Sequence, residues 1–163
     1  MDGALLDELE SQHRMVEDLL ERLESETDST RQQRLVDELV TALTEHMEIE
    51  ESQVYPELQR LQKTLAREAE VEHALTRDGM SKLGSMVGKP GFGAAVAMLQ
   101  AGIEHHVQEE EGEAFPKIRQ ELGLGPSTGD ATKAELYEEA KKAGVEGRSG
   151  MTKDELAKAV GEE

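Results

Sequence analysis

The chain has no cysteine and no tryptophan, and aromatic residues make up only 2% of its 163 residues. Without cysteine there is no disulfide and no thiolate metal site, so any metal must be held by nitrogen and oxygen. With so few aromatics the interior has to be built from Leu, Val, Ile, Met and Ala, a set that suits helices better than strands. Positive charge is also scarce. The 18 Lys+Arg stand against 36 Asp+Glu, a formal net charge of −18. So acidic a surface disfavours nucleic acid and anionic membranes and favours solubility. No run approaches the ~20 apolar residues of a membrane span. The first stretch, MDGALLDELES, lacks the charged-then-apolar layout of a signal peptide. The expectation is a soluble cytoplasmic protein with one cored domain and room for a small second unit.

What is present is helical periodicity. Apolar residues at 3–4 spacing predict helices over about 3–25, 30–61, 63–87 and 92–122. Ser29 or Thr30 is the expected cap of the second helix. GKPG at 88–91 is the clearest turn. Pro56 and Pro116 remove the backbone bonds to Ser52 and Gly112, so each is expected to kink its helix and end its regular part. Short connections imply antiparallel neighbours. The fold class is therefore all-α, an up-down-up-down four-helix bundle over 1–122.

The stretch HMEIEESQVYP, His46 to Pro56, recurs as HVQEEEGEAFP, His106 to Pro116. Both read His-x-x-x-Glu-Glu-x-x-x-(Tyr or Phe)-Pro. A His and a Glu four residues apart share one helical face. That face is the apolar one. Leu35, Leu39 and Leu43 lead to His46 and Glu50, and Val96, Leu99 and Ile103 lead to His106 and Glu110. His13 and His73 interrupt the apolar stripes of the first and third helices in the same way. A single histidine on an apolar face is most often a hydrogen-bonded core residue. Four imidazoles and two carboxylates on four helices are too costly to bury unless paired or metal-bound. His73 lies fifteen residues before Gly88 and His106 fifteen after Gly91, so an antiparallel hairpin brings them to one depth. The expected metal ligands are His13, His46, Glu50, His73, His106 and Glu110.

After Leu122 the periodicity stops. Residues 123–130, GLGPSTGD, read as a linker. Two segments sharing Thr-Lys-x-Glu-Leu follow, at Thr132–Leu136 and Thr152–Leu156. Each Thr can form a capping box with the Glu three residues on. Residues 131–161 are thus expected to form a small helix–loop–helix.

The paired His-x-x-x-Glu motifs, with one His on each of the other two helices, resemble the hemerythrin family, and within it the HHE cation-binding domain. The resemblance covers about residues 3–122. It implies a non-haem di-iron (Fe-O-Fe) centre bridged by carboxylates, with His13, His46, Glu50, His73, His106 and Glu110 as ligands. Matching the second motif by its Phe-Pro selects His106 over His105, which points about 100° away. Where oxygen-carrying hemerythrins have a further histidine, this chain has Arg77, which cannot ligate a metal. Of about twelve positions on two six-coordinate irons, four histidines, two bridging carboxylates and one bridging oxygen leave about two open. The resemblance therefore implies a site that binds or reacts with O2, hydrogen peroxide or nitric oxide. Arg77 lies one turn beyond His73, about 40° around the helix. It is expected either to face the interior, paired with Glu111 or another helix-end carboxylate or reaching the open positions, or to run its long side chain out to the surface. The alternatives are an iron or oxygen sensor that acts through the tail, and an iron-storing ferroxidase. Zinc or manganese can replace iron on N/O ligands. The tail, TKAELYEEAKKAGVEGRSGMTKDELAKAV, resembles the SAP-like N-terminal domain of transcription terminator Rho, a unit associated with nucleic-acid proteins. Over residues 126–163, however, six Lys+Arg face nine Asp+Glu, which weakens the nucleic-acid inference for the tail and sets a small protein-interaction or packing module beside it.

Overall fold

The computed structural model describes residues 2–124, 133–145, 147–148 and 151–160. Eight α-helical segments run in order: α1 Gly3–Ser25, α2 Ser29–Ile49, α3 Tyr55–Leu61, α4 Lys63–Met86, α5 Phe92–Glu109, α6 Phe115–Leu122, α7 Lys133–Lys142 and α8 Lys153–Val160. There is no strand among the described residues. Segments α2 and α3 form one long helix, as do α5 and α6, so α1 to α6 make a four-helix bundle. Gly88 and Gly91 take φ of 68° and 90° to turn the chain between α4 and α5, a region other residues enter at a cost.

Both caps of the first two helices are aspartates. Asp2 accepts from the Leu5 N–H, and Asp28 from the Arg31 N–H at 2.9 Å. The cap of α2 is therefore Asp28 and not Ser29 or Thr30, which already lie inside the helix. A short carboxylate on an extended residue meets the free N–H groups of the first turn and its positive end.

The two prolines do not end their helices, contrary to expectation. Each lies just inside a renewed α-segment, and the irregularity sits upstream as a five-residue π-turn, Glu50–Val54 and Glu110–Ala114. The Tyr55 N–H bonds to the carbonyl of Glu50, and that of Phe115 to the carbonyl of Glu110. One extra residue per turn moves the proline ring off the carbonyl it would otherwise strike. The wider turn begins on Glu50 and Glu110 themselves, so the bulges shape the candidate site and do not lie beyond it.

Two apolar clusters fill the bundle. One, toward the α1–α2 and α4–α5 turns, includes Leu20, Leu39, Leu83 and Val96. The other, at the opposite end, includes Leu6, Leu9, Leu58, Phe115 and Ile118. The histidines and the two glutamates form a layer between them.

A third small cluster joins Leu136, Tyr137, Ala140 and Leu156 of α7 and α8. Thr152 and Glu155 make the second capping box, with Glu155 Oε2 accepting from the Thr152 N–H at 2.7 Å and Thr152 Oγ1 accepting from the Glu155 N–H at 3.3 Å. The box at Thr132 lies outside the described residues, as does most of 123–130. Gly123, at φ 62°, closes α6, and the Leu124 N–H returns to the Arg119 carbonyl at 2.9 Å. The tail packs on α1. Lys141 Nζ and Arg148 Nη2 bracket the Glu21 carboxylate at 3.1 and 2.8 Å. The Tyr137 ring lies between the guanidiniums of Arg14 and Arg148.

Candidate metal centre

His13, His46, Glu50, His73, His106 and Glu110 are all buried, and their side chains converge on one layer. Every histidine turns Nε2 inward. His46 Nε2 lies 3.1 Å from Glu50 Oε1, and His73 Nε2 lies 3.2 Å from Glu50 Oε2. Glu110 Oε2 lies 3.3 Å from His13 Nε2 and 3.4 Å from His106 Nε2. The two oxygens of Glu50 thus face two different histidine groups. The His73 and His106 Nε2 atoms approach to 3.1 Å.

The outward nitrogens are held just as regularly. The Nδ1 of His13 meets Glu111 at 2.8 Å, that of His46 meets Gln12 at 3.0 Å, that of His73 meets Glu51 at 3.0 Å, and that of His106 meets Glu72 at 2.8 Å. These partners accept, so each Nδ1 carries the proton and each Nε2 offers its lone pair inward. Gln12 keeps its oxygen toward His46 because its Nε2 donates to Glu8. The pattern is two-fold. The residue after each inner glutamate, Glu51 or Glu111, grips the histidine of α4 or α1. The residue before each of those histidines, Gln12 or Glu72, grips the histidine of α2 or α5. The second Glu of the repeated motif therefore orients a histidine from a neighbouring helix, a role that its sequence position alone did not reveal.

Tyr55 and Phe115 break the two-fold. The Tyr55 hydroxyl enters the layer, 2.8 Å from His73 Nε2 and 3.4 Å from Glu110 Oε1. Phe115 stacks on the His13 ring with centroids 5.9 Å apart. The π-turn rotates Tyr55 inward, so this residue was missed as a site residue in the sequence. Of the two places expected for Arg77, the structure shows the surface one and not the inward one. Arg77 is exposed and donates to Glu51 at 2.7 Å, touching the layer only through Glu51 and His73. The long side chain follows the helix surface to water, where its charge is hydrated. Glu111 pairs instead with Arg14. His105 is exposed, outside the layer, as its position on the helix implied.

The model of the hemerythrin HHE cation-binding domain matches residues 4–118. The chain belongs to the hemerythrin family. No curated protein and no solved structure gave a match.

The layer has the nitrogen and oxygen donors that a cation needs. His13 Nε2, His46 Nε2, both oxygens of Glu50 and Glu110 Oε2 are buried and make no hydrogen bond, though His13 Nε2 lies 3.8 Å from Glu50 Oε1 and 3.3 Å from Glu110 Oε2, and His46 Nε2 3.1 Å from Glu50 Oε1. Unpaired buried donors and acceptors are costly, and inward lone pairs this close repel unless a cation or proton lies between them. Within the layer two groupings could hold an ion, His13 with His46, Glu50 and Glu110, and Glu50 with His73 and His106; a third, Glu72 with His105 and Glu109, lies outside it.

Titration in the metal-free hemerythrin layer follows the same geometry. Burial and the neighbouring Glu50 charge push Glu110 up to about 7. Burial also acts on Glu50, but His46, His13 and His73 outweigh it and hold its carboxyl well below the usual range. Burial opposes a charge on His13, yet Glu110, Glu111 and Glu50 raise it well above the ordinary imidazole value. Burial lowers His46. Burial and the charges of Glu110 and Glu50 push the Tyr55 phenol upward.

Proposed function

We propose that His13, His46, Glu50, His73, His106 and Glu110 of this hemerythrin-like bundle would hold two irons, and that the centre binds or reacts with O2, hydrogen peroxide or nitric oxide. The observation that carries the reading is Glu50, whose two oxygens face two separate histidine groups. His13 and His46 would hold one ion and His73 and His106 the other. Iron there would supply one-electron chemistry toward the small oxidant. The chain's own residues do the rest. Glu111, Gln12, Glu51 and Glu72 fix the four rings and keep their lone pairs inward. Tyr55 brings a hydroxyl to the His73 side alone, so the two halves are chemically unequal. The two apolar clusters exclude water from above and below. A cavity of about 10 Å3, lined by the four histidines with Thr76 and a wall of apolar residues that includes Leu43 and Ile103, touches the layer. That is about the space one water needs, which suits a diatomic or peroxide and no larger substrate.

In this reading residues 1–122 carry the chemistry, and 131–161 form a helix–loop–helix joined through 123–130. Among the described residues no helix is long and apolar enough to cross a membrane. Repeated additions of hydrogen peroxide to the iron-loaded chain test the reactivity, followed by oxygen evolution and the absorption spectrum. Turnover or a changed spectrum is expected. A loaded chain inert to peroxide, O2 and nitric oxide contradicts it.

A second reading, a sensor, has one observation in its favour. Arg14 contacts both Glu111, which holds His13, and the Tyr137 ring of the tail. Occupancy of the layer and seating of the tail would then be linked through one guanidinium.

A further inference from the structure

The four outer partners of the histidines are not equally balanced in charge. Glu111 is met by Arg14 and Glu51 by Arg77. Gln12 is neutral. Glu72 has no Arg or Lys within ion-pair distance among the described residues, although one of its oxygens is committed to His106. Its other oxygen, Oε1, points outward to His105 Nε2 at 3.5 Å. The same His105 Nε2 lies 3.6 Å from Glu109 Oε1. His105 and Glu109 are four residues apart on α5, the relation that His106 and Glu110 have one position on. The sequence HHVQEEE thus carries the His-x-x-x-Glu pattern twice in adjacent registers, one facing the layer and one facing out. Like Glu72, Glu109 has no Arg or Lys partner among the described residues.

We propose that His105, Glu109 and Glu72 form a second, solvent-facing divalent-cation site on the α4–α5 face, outside the buried layer. Donors that share a tetrahedral ion at about 2.0–2.1 Å stand about 3.3–3.4 Å apart. The His105 separations of 3.5 and 3.6 Å are close to that, and the three donor atoms all lie within 4.8 Å of one another, so the two carboxylates would have to close on the ion. One imidazole and two carboxylates suit zinc or manganese, with water completing the shell. Glu72 is already immobilised by His106, which lowers the entropy cost of binding. The cation supplies to Glu72 the positive charge that Arg14 and Arg77 supply to its counterparts. His105 and Glu72 also close one end of an apolar groove of about 740 Å3 between α4 and α5, so the site is reached from the surface without opening the bundle.

The test is equilibrium dialysis of the full chain against micromolar Zn2+, comparing the parent with His105→Ala and Glu109→Gln. His105 has 63% of its side chain exposed, so its loss does not disturb folding. The parent is expected to bind about one more Zn2+ per chain than either variant, whatever the buried layer takes up. In NMR the ring protons of His105 should shift with Zn2+ and saturate with that extra equivalent. Equal stoichiometry in all three proteins, or a His105 ring unmoved by Zn2+, overturns the proposal. Neither result depends on the buried layer holding iron, so this site and the proposed function stand or fall separately.

Discussion

The Tyr55 hydroxyl lies 2.8 Å from Nε2 of His73, on the inner side of the histidine layer. Arg77, one turn beyond His73 on α4, stays outside the layer. A count of open metal positions based on Arg77 therefore has to include Tyr55. A Tyr55 that ligates iron in the loaded chain would do so as a phenolate and would add a visible charge-transfer band. Tyr55→Phe should keep its iron and lose that band. A band of unchanged position and strength in the phenylalanine variant would show that Tyr55 does not meet the metal.

Glu51 and Arg77 make a graded pair. Glu51 holds His73 directly, while Arg77 acts only through Glu51 from an exposed position. Glu51→Ala should weaken metal retention by about 10–100-fold, the usual cost of removing a partner that orients a ligating histidine. Arg77→Ala should cost no more than about 1 kcal/mol, as exposed ion pairs do. Competition with a chelator measures both. Equal losses in the two variants would mean that Arg77 has a direct role.

The metal-free chain should lose stability as pH rises. Glu110 is raised to about 7 from an ordinary 4.5, so between those values the folded state holds a proton that the unfolded chain has released. Stability from that group is present below 4.5 and is lost on passing 7. It is worth about 3 kcal/mol. His13, also raised, loses its contribution at still higher pH. Metal binding should expel these protons, so apparent affinity rises over the same window. Thermal unfolding from pH 5 to 8, with and without chelator, reads both effects. His46, lowered by burial, adds stability as pH rises toward its ordinary 6.5, so the contradicting result is a metal-free midpoint that climbs between pH 6.5 and 8.

The link to the tail predicts a change far from the layer. Because Arg14 serves both Glu111 and Tyr137, metal removal should raise amide exchange in α7 and α8. Arg14→Ala should raise it with metal present. Unchanged exchange in both cases would leave the sensor reading without support.

How much of this was legible in the sequence follows from what the sequence encodes. Periodicity placed α1 and α4 to within a residue, and it put all six ionisable residues on inward faces. The repeated motif marked Glu50 and Glu110. Four features were not legible. The π-turns depend on how a proline ring meets a carbonyl within a packed helix, and they turn Tyr55 by a register that the 3.6 period does not contain. The roles of Glu51, Glu72, Glu111 and Gln12 need the neighbouring helix, since each grips a histidine on a different one. Arg77 has an inward position but a side chain long enough to leave it. The start of α2 fell on Asp28 because aspartate, serine and threonine in a row are all good caps, and backbone geometry chooses among them.

The central claim is a two-iron layer held by His13, His46, Glu50, His73, His106 and Glu110. Its most direct test is metal analysis of the chain purified aerobically after iron-replete expression, with its absorption spectrum. The account predicts about two irons per chain and oxo-to-iron bands in the near ultraviolet, both lost in Glu50→Ala. A folded chain carrying a single zinc, or no metal at all, would contradict it.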